Sequence, residues 1–223
     1  SLAEVHSREN ILRMMENDAP EGNLKQHIRM LLAKVEKLKK HPVPRLQRFI
    51  ESVRSCLNGE FYTINDDLAV FLGDEHAYWG FKELREDLET RTGAYKQNTS
   101  NMLGSIRMNL NNLENALNVM DIDSVKQYLN LMRTDFDLFQ NRYEHKLQNK
   151  LGTKKQTKLY RKIRDIFIIL LRLTNKMLKE WEIMNQEELN KVKVQAYNII
   201  EEKLPEELVD MIHTMMRPVS LRL

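Results

Sequence analysis

One cysteine, seven glycines and five prolines are few for 223 residues. A single cysteine forbids an intramolecular disulfide, so a reducing intracellular setting such as the cytoplasm is expected. Cys56 stands among Phe49, Ile50, Val53 and Leu57. That company marks it as a small core residue rather than a nucleophile. Scarce Gly and Pro argue against sheet-rich folds and glycine-cradled phosphate sites, which need more turn residues. Long apolar runs are also missing. The longest, 166–171, is broken by Arg172 and is far too short to cross a bilayer. The chain opens without the basic-then-apolar layout of a secretory signal. It begins at Ser1 rather than Met, as a processed product or an excised fragment would.

Chemical motifs are missing too. There is no GxxxxGK[ST], GxGxxG, paired CxxC or HExxH. His6, His27, His41, His76, His145 and His213 have no spacing that sets two on one helical face, so no metal site and no cofactor is expected. The densest acidic group, Asp66, Asp67, Asp74 and Glu75 beside His76, reads mainly as helix caps and solvated charge. A hard cation held by these oxygens is the sharper alternative.

What the sequence does have is helical periodicity. Helices are expected over about 3–18, 24–40 and 45–57, separated by Pro20-Glu-Gly-Asn23 and His41-Pro-Val-Pro44. Six of the sixteen aromatics fall within 61–81, and a helix is expected from about 75 to 91. Thr92-Gly93 then serves as a subdomain boundary. Beyond it, Met102, Ile106, Leu110, Leu113, Leu117 and Met120 step by three and four. Val125, Leu129, Met132, Phe136, Phe139 and Tyr143 do the same, as do Leu159, Ile163, Ile166, Leu170, Met177, Trp181 and Met184. Ser124-Val-Lys-Gln127 and Thr153-Lys-Lys-Gln156 fit capping boxes, and Leu151-Gly152 fits a glycine C-cap. Further helices follow from about 186 and from Pro205.

These patterns predict an all-α, elongated helical bundle built on a long antiparallel helical hairpin (about 98–184), with shorter N-terminal helices packed over it. The expected division is a 1–92 subdomain with the aromatic cluster and a 93–223 long-helix bundle, or one continuous domain.

The net charge is only +3, but its distribution is uneven. Lys146, Lys150, Lys154, Lys155, Lys158, Arg161, Lys162 and Arg164 follow one another with no acid between them. Gly152 places this run at the tip of the hairpin. Crowded like charges repel, so the run opposes folding slightly, and an anion would relieve it. The expected function is a non-enzymatic interaction or assembly module whose basic tip contacts an acidic partner. A protein partner or self-association is expected, with Met211, Met215 and Met216 as a possible interface. The alternative is a sequence-nonspecific nucleic-acid binder using the same cations on the phosphate backbone, with Tyr160 available for stacking. An anionic membrane surface ranks below these. An enzyme with a pocket near 61–81, using Asp74 and His76, is the last reading.

Overall fold

A computed structural model describes residues 2–58 and 75–202, with Glu206 and Asp210; side chains are described over 4–58 and from 82 onward. Among the described residues there are eight α-helices and no strand: α1 (Leu2–Asp18), α2 (Asn23–Lys39), α3 (Pro42–Asn58), α4 (Glu75–Thr90), α5 (Gly93–Asn118), α6 (Ile122–Gln148), α7 (Lys154–Glu182) and α8 (Gln186–Glu201). The protein is an all-α helical bundle. None of the described helices is long and apolar enough to cross a membrane.

The helices group into two compact units, one of Ser1–Pro44 with Gln186–Leu223 and the other of Arg45–Asn185. The expected boundary at Thr92-Gly93 falls inside the second unit. In the first, α1 and α2 pack with α8, so the two ends of the chain close one small bundle. Leu12, Met15, Ile28, Leu31, Leu32, Leu189, Val192 and Ile199 are buried there. The periodicity of α8 fixes which face is apolar but not which helices cover it; α1 and α2 do. Glu9 is buried in this unit, with Lys39 Nζ 2.6 Å from its Oε1. Arg8 donates to the Glu202 carbonyl at 3.0 Å, and Lys34 pairs with the Glu202 carboxylate at 3.3 Å.

The second unit holds the long hairpin. α6 and α7 run antiparallel along an aromatic seam: Phe139 stacks on Phe167 with ring centroids 4.3 Å apart, and Tyr143 tilts against Tyr160 at 5.5 Å. All six expected seam positions of α6 are buried. On α7, Thr174 fills the step between Leu170 and Met177, its hydroxyl donating to the Leu170 carbonyl at 2.7 Å. Burying each such aromatic or Leu side chain contributes about 1.5–3 kcal/mol. Ile168, Ile169 and Leu171 of α7 are only half-buried. α5 lies along α6, where Asn109 and Ser105 donate to the Asp135 carboxylate at 2.8 and 3.1 Å. Burial raises the Asp135 pKa, and these hydrogen bonds oppose the rise. On α5, Leu103 rather than Met102 is buried; Met102 accepts from Arg142 at the helix edge instead.

α3 starts at Pro42, three residues earlier than the sequence pattern suggests. Proline costs nothing in a first turn, where its missing N–H has no partner to lose. Arg45 of α3 pairs with Glu180 of α7 at 3.1 Å, and Arg54 pairs with Glu114 of α5. α4 joins α7 through Glu83 and Lys162, 2.8 Å apart. Cys56 is buried in α3, and burial pushes its thiol up to about 12, which keeps it protonated and unreactive. The 61–74 segment, with its aromatics and Asp66, Asp67 and Asp74, lies outside the described residues, as do the side chains of 75–81 and Met211, Met215 and Met216.

Candidate functional site

The α6–α7 turn is built by local hydrogen bonds. Lys150 takes a left-handed conformation at φ 50, its N–H donating to the Leu147 carbonyl, while the Leu151 N–H reaches the Lys146 carbonyl. This is a Schellman closure, which satisfies the last carbonyls of α6. The left-handed residue that closes α6 is therefore Lys150, whereas the Leu151-Gly152 pattern implied Gly152. Gly152, at φ 103, serves the following bend, where a β-carbon would lie 2.6 Å from Gln156 Oε1. Thr153 then opens α7 in a complete capping box: the Thr153 N–H donates to Gln156 Oε1 at 2.9 Å, and the Gln156 N–H to Thr153 Oγ1 at 3.3 Å.

The eight cations divide into two groups. Lys146, Lys162 and Arg164 are engaged within the bundle. The Lys146 ammonium lies 4.3 Å from the centre of the Tyr95 ring, 5.0 Å from Tyr160 and 5.9 Å from Tyr143. Burial lowers its pKa, helped by Arg142 and Arg91 and opposed by Asp87. Lys162 pairs with Glu83. Arg164 joins Glu144 at 3.0 Å and Asp165 at 3.1 Å. Lys150, Lys154, Lys155, Lys158 and Arg161 are exposed, and none forms an ion pair among the described residues. On α7, Lys154, Lys158 and Arg161 stand at positions i, i+4 and i+7, one stripe opposite buried Ile163.

The placement of this charge runs against helix electrostatics. The first turn of α7 contains Lys154 and Lys155 and no acid. Cations there face the positive end of the helix dipole, where a carboxylate would stabilise. Crowding adds repulsion, so the cap and the aromatic seam hold the turn together despite its charge.

Sequence reasoning missed the floor beneath the turn. Tyr95, Arg91 and Asp87 come from around the α4–α5 junction, which is far from the turn in sequence. The Tyr95 hydroxyl donates to Asp87 at 3.1 Å and lies 3.4 Å from the Tyr143 hydroxyl. Arg91 and Arg142 also approach the Tyr95 ring, at 5.2 and 5.4 Å. No spacing rule connects these residues; only the packing of α4 and α5 against α6 and α7 brings them together. Tyr160, considered for base stacking, is buried at 5% exposure with Lys146 against its ring. Among the described residues no group of three His, Cys, Asp or Glu side chains stands close enough to hold a metal ion. In comparisons with known proteins, no family model, no curated protein and no solved structure matches this chain.

Proposed function

We propose that the protein is a non-enzymatic helical interaction module whose α6–α7 turn contacts an acidic partner. One observation carries the reading: five exposed cations crowd a rigidly capped turn with no described carboxylate to neutralise them. Two of them, Lys154 and Lys155, sit in the first turn of α7, where charge of their sign is unfavourable. An anionic surface would remove both the mutual repulsion and the dipole penalty.

The test is charge reversal. Lys154→Glu with Lys155→Glu should lose salt-sensitive binding to anionic probes, namely poly-glutamate, mixed-sequence duplex DNA and phosphatidylserine vesicles. A variant that binds every probe as the wild type does would remove the turn as a contact. Self-association through Met211, Met215 and Met216 is a separate part of the proposal. Sedimentation of Met211→Glu/Met215→Glu against wild type tests it, and equal masses would dismiss that interface.

A further inference from the structure

We infer that the acidic partner of the α6–α7 turn is an anionic lipid surface, with Leu151 inserted at the headgroup boundary and the five exposed cations lying among the headgroups. This rests on the reading that the turn meets an anion, and it names which anion.

Three observations narrow the choice. The first is Leu151, which is 50% exposed at the apex between Lys150 and Gly152, with Lys154 the next cation along the chain. Against a phosphodiester backbone or an acidic peptide its isobutyl group gains little. At the acyl boundary it leaves water, as the apolar residues of interfacial anchors do. The second is the lack of reading groups for a nucleic acid. Tyr143 and Tyr160 are buried, with Lys146 against both rings. The amides nearest the turn are used locally, Gln148 donating to Glu144 and Asn149 to the His145 carbonyl. Stacking on single strands and readout of base edges both need such groups free. Contact with phosphates alone does not need them, but it leaves Leu151 in water.

The third observation is the reach of the charge. From Lys154 to Arg161 the stripe runs about 10 Å along α7 at ~1.5 Å per residue. A headgroup layer is about 5–7 Å deep, and the surface potential extends roughly a further 8 Å at physiological salt. A hairpin standing on the bilayer with Leu151 down therefore keeps all five cations inside the attractive field. Each would raise partitioning about fivefold.

The experiment is co-sedimentation of the full chain with phosphatidylcholine vesicles, with and without phosphatidylserine, beside duplex DNA and poly-glutamate. Binding should need phosphatidylserine and weaken with salt. Lys154→Glu/Lys155→Glu should lower it by about 30-fold or more. Leu151→Ser should lower vesicle binding about fivefold and leave the other two probes unchanged. Unchanged helical circular dichroism would show that both variants still fold. Vesicle binding without a phosphatidylserine preference, or a Leu151→Ser protein that binds vesicles like wild type, overturns the lipid inference. If the wild type binds DNA or poly-glutamate instead and charge reversal removes that binding, the lipid inference falls and the proposed function stands. If charge reversal changes binding to no probe, both fall.

Discussion

The α5–α6 and α6–α7 turns share a backbone and differ in chemistry. In both, the helix ends on a left-handed residue that is not glycine, Met120 at φ 55 and Lys150 at φ 50. In both, the next N–H closes the Schellman pattern at 3.0 Å, Asp121 to the Ala116 carbonyl and Leu151 to the Lys146 carbonyl. In both, a side chain caps the following helix: Asp121 accepts from the Ser124 N–H, and Thr153 from the Gln156 N–H. Yet the first turn carries Asp121 and Asp123 in places the helix dipole favours, while the second carries Lys154 and Lys155 in places it disfavours. The first shows that this chain can reverse direction between long helices without a cluster of cations. The charge at the second is therefore not explained by the needs of the fold.

The second turn is also longer, spanning 149–153 where the first spans 119–121. Asp121 is both the Schellman donor and the N-cap of α6, whereas Leu151 and Thr153 divide those tasks with Gly152 between them. Each turn exposes an apolar side chain, Val119 at 75% and Leu151 at 50%, but only Leu151 stands between lysines in the sequence.

Tyr143→Ala removes a fully buried ring from beneath the basic turn and should cost about 3–5 kcal/mol in denaturant unfolding. Amide exchange should rise more around 146–158 than around 119–126. Equal loosening of both turns would mean that the tyrosine floor supports them alike.

Gly152→Ala should cost about 1–3 kcal/mol, because its φ of 103 disfavours a β-carbon and that carbon would push Gln156 out of the capping box. Thr153→Ala should cost about 1 kcal/mol through loss of the same cap. Thermal unfolding checks both. Conversely, Met120→Gly should stabilise the protein by about 1 kcal/mol by relieving the left-handed strain of the first turn.

Acid should separate the two caps with the smallest effect. Hydrogen bonds from Ser124 hold the Asp121 carboxyl below its usual range. A carboxyl depressed in the folded state contributes stability above its unfolded pKa and loses it as pH falls through the folded value. Protection of the Ser124 amide should therefore decline below about pH 4, the usual Asp range, while that of Gln156 should not, because Thr153 and Gln156 do not titrate. Parallel loss at both amides would show global acid unfolding instead of cap titration.

Legibility followed the range of the interaction. The α6 seam from Val125 to Tyr143 and the Thr153–Gln156 box are visible in the sequence because each depends on residues within a few positions. Competition between local signals was harder to read. Ser124 looked like the N-cap, but Asp121 takes that place because the Schellman closure puts it in an extended conformation just before α6. The turn cations were equally visible as a run, but which five stay exposed was not. Lys162 needs Glu83 on α4, and Lys146 needs Tyr95 on α5, partners more than 50 positions away.

Taken alone, the sequence determined that the chain is helical, where most helices begin and end, which faces are apolar, and that one turn is ringed by lysines. These depend on the 3.6-residue period, on capping and on Gly and Pro, all of which act over a turn or two. Tertiary structure alone decided that α8 closes on α1 and α2 and that α3 and α4 join the long helices. It also decided that Tyr160 faces Lys146 inside the bundle while Leu151 faces water. An apolar stripe is satisfied by any complementary stripe, so its partner is chosen by packing over the whole chain.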